Sequence, residues 1–183
     1  MIQKVWPNLG DYIRKMVKND LEPEVKKSLE KYGLGGFKFE RVALGQMPPR
    51  ITGIKVYDKN SKQNQIIMDL DLTFASDCDI EFSIKGVSSG IKDINLRGML
   101  RVELKPLISD IPLVGGVQVY FLSQPELDFD LCGLANVFDF PGLSNIMHII
   151  VLELLSRYVV FPNKFPLWSL NEDKRKYHVL IIY

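Results

Sequence analysis

The side chains that could do chemistry are few in this chain. It has two histidines, His148 and His178. His148 falls in a predicted apolar helix, and a general base needs a positioned partner, so we interpret it as structural. An esterase would need a nucleophilic serine on a G-x-S-x-G elbow, and we identify no such elbow. The chain is therefore predicted not to be an enzyme, and no catalytic residue is assigned.

Metal and phosphate sites are also not predicted. Three Asp-x-Asp pairs resemble calcium ligands: Asp69/Asp71, Asp77/Asp79 and Asp128/Asp130. Alternation places each pair on a wet strand face or in a turn, without the loop of oxygen donors that calcium requires, so solvated charge is expected. The segment from Gly33 to Gly36 lacks the Lys-Ser/Thr of a P-loop and indicates a helix stop. We expect neither a metal nor a cofactor.

Composition favours one folded domain. The chain has 183 residues, of which 46% are hydrophobic and 25% charged, and a net charge of +1. This balance is too apolar for disorder and gives no reason to expect nucleic acid as a partner. Two cysteines, Cys78 and Cys132, are too few for a disulfide framework and favour a reducing compartment. No apolar run approaches the roughly 20 residues of a membrane helix, so we expect any membrane anchor to lie outside this chain.

Helical periodicity marks two regions. The first 31 residues carry apolar side chains at intervals of three and four, which predicts one apolar helical stripe. Pro23 either kinks this helix or opens a second one capped by Asp20 or a neighbour. A further helix is predicted from Leu143 to Tyr158. It is apolar almost all round, so it should be buried on most sides.

Alternating apolar and charged residues predict a sheet between these helices. A period of two is typical of antiparallel strands that are wet on one side. The clearest alternation runs through 68–74, 80–84, 93–105, 117–121 and 127–131, with further strands at 37–44 and 51–57. Six or seven strands about 4.8 Å apart make a sheet roughly 30 Å wide. Two helices, each about 10–12 Å across, leave part of its apolar face uncovered. That remainder either rolls up into a packed core or forms an apolar trough for a ligand.

Three ordered motifs favour the trough. They are Gly45-Gln46-Met47-Pro48-Pro49-Arg50-Ile51-Thr52-Gly53-Ile54-Lys55-Val56-Tyr57, the segment Leu104-Lys105-Pro106-Leu107-Ile108-Ser109-Asp110-Ile111-Pro112-Leu113-Val114-Gly115, and Gly133-Leu134-Ala135-Asn136-Val137-Phe138-Asp139-Phe140-Pro141-Gly142-Leu143. With Trp6-Pro7 and Phe161-Pro162-Asn163, the chain resembles the SMP (synaptotagmin-like, mitochondrial, lipid-binding protein) domain of the extended synaptotagmins and tricalbins, of the TULIP superfamily.

The resemblance implies an α+β fold in which a strongly bent antiparallel sheet and two main helices wrap an elongated apolar groove. It also implies glycerophospholipid as cargo, a homodimer, and lipid transfer from the cytosolic face of the endoplasmic reticulum at contacts with the plasma membrane. We expect the groove to be lined by Ile13, Met16, Val17, Leu70, Leu72, Phe74, Ile80, Phe82, Leu96, Leu100, Val102, Val119, Phe121, Leu127, Phe129, Ile149, Ile150 and Leu154.

The expected domain covers residues 1–170. Residues 171–183 are a linker or the start of a following segment, and 177–183 look like a stray strand. Two other functions stay open from the residues alone. One is a packed dimerisation or tethering adaptor without lipid cargo, and the other is a lipid esterase.

Overall fold

The computed structural model describes residues 2–57, 64–109, 111–133, 142–170 and 177–178. The helical elements are α1 (Ile2–Met16), a π-helical segment (Val17–Leu21), α2 (Glu22–Glu30) and α3 (Leu143–Val159). The strands are β1 (Lys38–Ala43), β2 (Arg50–Tyr57), β3 (Ile66–Ala75), β4 (Asp79–Ile84), β5 (Val87–Leu104), β6 (Gly116–Phe121), β7 (Glu126–Cys132), β8 (Phe165–Leu170) and β9 (Tyr177–His178).

The chain divides into two compact units. Unit 1 contains Met1–Arg50, Thr73–Leu96 and Glu126–Leu154, and unit 2 contains Ile51–Leu72, Arg97–Pro125 and Leu155–Tyr183. Two long strands, β3 and β5, contribute residues to both units.

Unit 1 is built around a packed apolar core. Strand β1 pairs antiparallel with β4, which joins the first part of β5 in a hairpin. The Phe37 ring contacts the rings of Phe39 and Phe82 at centroid distances of 4.8 and 5.5 Å. Phe82, Leu29, Met147 and Ile150 are the largest fully buried side chains among the described residues.

The outer edge of β1 is occupied by helix side chains. Strand β1 pairs with β4 alone among the described strands. Three residues of the N-terminal helices bond its backbone: Arg14 Nε donates to Val42 O (3.1 Å), Lys18 Nζ donates to Glu40 O (3.4 Å), and a Glu22 carboxylate oxygen accepts from Phe39 N (2.8 Å). This edge is therefore capped by side chains rather than by another strand.

Unit 2 is a set of paired strands, of which the pairs β5–β6, β6–β8 and β8–β9 are antiparallel. Strand β2 pairs with β3, β3 with β5, β5 with β6, β6 with β8, and β8 with β9. The segment between β5 and β6 is closed by backbone bonds, among them Ile108 N to Leu113 O at 3.0 Å and Gly115 N to Pro106 O at 2.7 Å.

Most predicted elements are confirmed, with small corrections. The strands predicted at 37–44 and 51–57 are β1 and β2, and the helix predicted at 143–158 is α3. Pro23 lies in the first turn of α2 after the π-helical segment, and the residue that caps α2 is Leu21, without a side-chain hydrogen bond. The suggested Asp20 cap is therefore not the one used.

Two further corrections concern burial and strand content. The prediction that α3 is buried on most sides is wrong, because Leu143, Met147, Ile150 and Leu154 form one buried stripe while Ile149 is 54% exposed. Strand β8 was not predicted, since Pro166 interrupts a strand pattern.

Most of the motif from Gly133 to Leu143, and residues 171–176 and 179–183 of the tail, lie outside the described residues. The division at residue 170 stays a prediction.

Candidate functional site

The predicted groove residues of unit 2 share one face of its strands. Leu100 pairs with Phe121 and Val102 with Val119, and directly paired residues point to the same side of a sheet. We call this set the unit 2 apolar face: Leu70, Leu72, Leu100, Val102, Val119 and Phe121. Five of the six are only half-buried, and Phe121 is 5% exposed. A Cβ on Gly98 would come within 2.9 Å of the Phe121 ring, so this glycine makes room for it.

The opposite face of the same strands carries a buried carboxylate. Asp69, which alternates with Leu70, is only 6% exposed. Arg101 donates to it through Nε and Nη2 at 2.6 and 2.8 Å, and the Tyr57 hydroxyl donates at 2.7 Å. Hydrogen bonds from Arg101 hold the pKa of Asp69 below its ordinary value despite burial. The expectation that Asp69 is solvated charge is wrong, because it joins β2, β3 and β5.

A second buried carboxylate, Glu103, joins β5 to β6 and to the residue before β8. It is 5% exposed and accepts from the Tyr120 hydroxyl at 2.5 Å, from Lys105 Nζ at 2.6 Å and from Lys164 Nζ at 2.9 Å. Burial alone would raise the pKa of Glu103, but the bonds from Lys105, Tyr120 and Lys164 outweigh it and lower the pKa to about 2. Burial and the bond to Glu103 raise the pKa of Tyr120.

The two strand faces of unit 2 therefore differ: one buries two carboxylates, while five of the six residues of the unit 2 apolar face are only half-buried. The buried carboxylates are fully paired, which offsets the cost of removing charge from water. These bonds hold β2, β3, β5 and β6 together through their charged face. The strands accordingly need no tight packing on the apolar face, which keeps part of its hydrocarbon surface open. Such surface is stabilised by about 25 cal/mol for each Å² that an apolar ligand removes from water, so the arrangement suits acyl chains.

The predicted groove residues of unit 1 fall into two groups. The first is buried in its core and consists of Ile80, Phe82, Phe129, Ile150 and Leu154. The second is half-buried and consists of Ile13, Met16, Val17, Phe74, Leu96 and Leu127. The Phe74 ring contacts Trp6 at a centroid distance of 5.4 Å, and Trp6 Nε1 donates to Gly45 O at 3.1 Å. Ile149 stands apart from both groups because most of its side chain reaches solvent. Whether any of the eighteen residues contacts lipid stays a prediction.

His148 has a structural environment. Its ring stacks on Phe129 with centroids 4.0 Å apart and an interplanar angle of 5°. Its Nδ1 lies 2.9 Å from the Ser144 carbonyl oxygen, one helical turn back in α3. Its Nε2 is 3.7 Å from an Asp128 carboxylate oxygen, and that carboxylate is largely exposed. These contacts fasten α3 to β7.

One match to the serine motif is present in the chain after all. Residues 86–90 read Gly-Val-Ser-Ser-Gly, which matches the G-x-S-x-G spacing and was not weighed in the sequence analysis. A nucleophile elbow is a strand–turn–helix, whereas here the turn at Lys85-Gly86 joins β4 to β5. Ser88 lies in β5 opposite Ser83 in β4, and Ser89 donates to the Cys132 carbonyl at 3.1 Å. The segment is a hairpin and does not form an elbow.

Neither a metal cluster nor a membrane span is found in the described ranges. Within them, no three His, Cys, Asp or Glu side chains are grouped so that they could hold a metal ion. No helix in the same part of the chain has the length and apolar character needed to cross a membrane.

A known protein family and several known proteins match most of this chain. Residues 1–168 match the family model of the synaptotagmin-like mitochondrial-lipid-binding domain. Extended synaptotagmin-2 of Homo sapiens is 38% identical over 173 residues, which cover 93% of this chain and 19% of that protein. Extended synaptotagmin-1 of Homo sapiens is 37% identical over 166 residues, covering 90% of this chain and 15% of that protein. The chain thus spans about a fifth or less of the length of these relatives.

Solved structures agree. The chain is similar to a structure that contains the SMP domain and two C2 domains of extended synaptotagmin 2, with a TM-score of 0.74 and 37% identity over 94% of this chain and 38% of that one. Mmm1 shares the fold alone, at a TM-score of 0.51 and 11% identity over 92% of this chain and 86% of that one. The predicted fold class, a bent antiparallel sheet with helices of the tubular lipid-binding kind, is confirmed by these matches. The chain belongs to the synaptotagmin-like mitochondrial-lipid-binding domain family.

Proposed function

We propose that this chain binds the acyl chains of glycerophospholipids on the unit 2 apolar face and carries intact lipid between membranes. The observation that supports the proposal is the contrast between the two strand faces of unit 2. Asp69 and Glu103 are buried and paired, while Leu72 and Leu100 on the opposite face are left half-buried. A packed adaptor domain would bury the leucines. Family membership in a lipid-binding domain supports the same function.

The similarity to extended synaptotagmins supports a proposal for the cellular setting. Like extended synaptotagmins, the chain would act at contacts between the endoplasmic reticulum and the plasma membrane, on the cytosolic face, with its membrane anchor outside these residues. It would work as a homodimer, because association through two-fold symmetry is the commonest way to cover exposed apolar rims. We propose no chemical step, since the cargo leaves as it arrived.

The test has two parts. Protein purified from cells is extracted with organic solvent, and the extract is analysed by mass spectrometry for phospholipid in roughly stoichiometric amount. Lipid-loaded donor vesicles are then mixed with acceptor vesicles, and both the transfer and the chemical integrity of the lipid are measured. Lipid-free protein that transfers nothing would favour the adaptor. Release of fatty acid or free head group would favour the esterase.

A further inference from the structure

Exposure rises across the unit 2 apolar face toward one edge of its sheet. On β6, Phe121 is 5% exposed. On β5 and β3, Leu100 and Leu72 are half-buried. On β2, Ile54 is 65% and Val56 is 54% exposed. Val119 on β6 is half-buried as well. Among these residues, the apolar side chains are therefore most exposed on β2.

Hydrogen bonding fixes the face on which Ile54 and Val56 lie. The Tyr57 hydroxyl bonds Asp69 at 2.7 Å, so Tyr57 is on the charged face of the sheet. Successive strand residues point to opposite sides. Ile54 and Val56 are therefore on the same side as Leu70 and Leu72, and they extend the unit 2 apolar face to the end of the sheet.

Strand β2 is an edge strand in the described part of the chain, where it pairs with β3 alone. Its residues from Arg50 to Val56 are all exposed. This differs from β1, another strand with a single partner, whose backbone is bonded by Arg14, Lys18 and Glu22. Exposed apolar side chains on an open edge are normally avoided, and their presence on β2 needs a functional reason.

We propose that β2 is the edge across which a membrane lipid enters and leaves, with Ile54 and Val56 as the first apolar side chains its acyl chains meet. This inference rests on the proposed function and specifies the route by which cargo is exchanged. On this route the acyl chain would meet the apolar side of β2 first, then that of β3 and β5, and finally Phe121 on β6. No polar side chain of the charged face interrupts that path, because those side chains point to the opposite side.

The charge of β2 fits a phospholipid as the occupant. The strand carries two cations, Arg50 and Lys55, and no acidic residue. By the same alternation Arg50 lies on the side of Ile54 and Val56. Lys55 lies on the charged side, where its Nζ is 4.9 Å from the centroid of the Tyr57 ring. A phosphate that remains in water while the acyl chains cross the strand therefore meets attraction and no repulsion from β2. These charges would not stabilise a neutral apolar ligand.

The experiment compares two faces of the same strand. The double variant Ile54→Thr/Val56→Thr replaces the exposed apolar side chains while keeping β-branching, and Ile51→Thr makes the matched change on the charged face. Transfer of fluorescent phosphatidylcholine between phosphatidylcholine vesicles is measured for the full 183-residue chain. We expect the double variant to transfer about tenfold more slowly, equivalent to about 1.4 kcal/mol on the barrier. Its lipid content after purification should equal that of the unaltered chain, and Ile51→Thr should transfer at the unaltered rate.

The outcomes separate this inference from the proposed function. If the unaltered chain transfers lipid and the double variant does so equally fast, β2 is not the entry edge, although the lipid carrier stands. Equal slowing by Ile51→Thr would also overturn the inference, as would conversion of a dimer to a monomer by the double variant, which would make β2 a contact between copies. If the unaltered chain carries and transfers no lipid, the proposed function itself fails. Should the double variant not fold, Val56→Thr alone gives the same comparison.

Discussion

Unit 1 and unit 2 are built from similar alternating strands, yet they bury different side chains. All but three of the buried hydrophobic residues belong to unit 1, and the exceptions are Tyr120, Phe121 and Val160. The two buried carboxylates, Asp69 and Glu103, both belong to unit 2. Unit 1 is thus stabilised by close packing, whereas unit 2 is held by paired charges on the face opposite its leucines. One sheet pattern serves as a core in the first case and, by the function proposed above, as a ligand surface in the second.

The largest expected effect tests this difference with one substitution made in each unit. Leu29→Ala removes a fully buried side chain of unit 1 and should lower the free energy of unfolding by about 3 kcal/mol or more. Leu72→Ala removes a half-buried side chain of unit 2 and should lower it by about 1 kcal/mol in lipid-free protein. Urea unfolding measures both losses. The dependence of the unfolding free energy on urea concentration should be the same as in the unaltered chain. Equal losses would show that the unit 2 face is packed like a core.

The second prediction concerns the charged face of unit 2. Glu103→Gln keeps the shape but leaves Lys105 and Lys164 facing a neutral amide, and should cost about 2 kcal/mol. The pKa of Glu103 is lowered from 4.5 to about 2, so its contribution is complete above pH 4.5 and is lost as the pH falls toward 2. Between these pH values the free energy of unfolding of the unaltered chain should fall as the pH is lowered. In Glu103→Gln it should fall less. A variant with the same acid sensitivity as the parent would contradict the assignment.

A third prediction uses added volume instead of removed volume. Leu72→Trp and Leu100→Trp should occupy space meant for acyl chains, so that bound lipid falls severalfold while the melting temperature changes little. In a packed core, overpacking costs about 1–3 kcal/mol, and the melting temperature would fall instead. Mass spectrometry of extracted lipid and thermal unfolding are measured on the same preparations. Retained lipid with lost stability would support the adaptor.

The smallest effect is expected at His148. His148→Ala removes the ring stacked on Phe129, and such a contact is worth about 0.5–1.5 kcal/mol. Transfer of intact lipid should be unchanged once the folded fraction is accounted for. Phe129→Leu removes the same stacking from the other side, but because Phe129 is only 4% exposed, it should also lower the free energy of unfolding through lost core packing. Lipid turnover that disappears in His148→Ala would identify an active site.

The sequence pattern predicted strands and faces better than it predicted burial. Alternation located β3 through β7 and the partition of Leu70 from Asp69, because side-chain direction is a local property of a strand. It did not predict that the carboxylates of Asp69 and Glu103 are buried and paired. Arg101, the partner of Asp69, is 32 residues away, and Lys164, a partner of Glu103, is 61 residues away. Pairing across such distances is fixed by strand register, which a pattern within one strand does not contain. For the same reason the pattern did not predict that the apolar side chains of β2 are the most exposed.

The capped edge of β1 has a consequence for the association of this chain with itself. Arg14 in α1 and Lys18 in the π-helical segment are four residues apart, and they donate to the carbonyl groups of Val42 and Glu40, which are two residues apart in β1. Helix side chains thus reach alternate carbonyl groups along the strand. The helix acts as a substitute for a neighbouring strand and leaves β1 with little capacity to template a foreign one. Detachment of the N-terminal helices would expose the unpaired backbone groups of β1. Docking of these helices therefore opposes edge-to-edge association between copies of this chain.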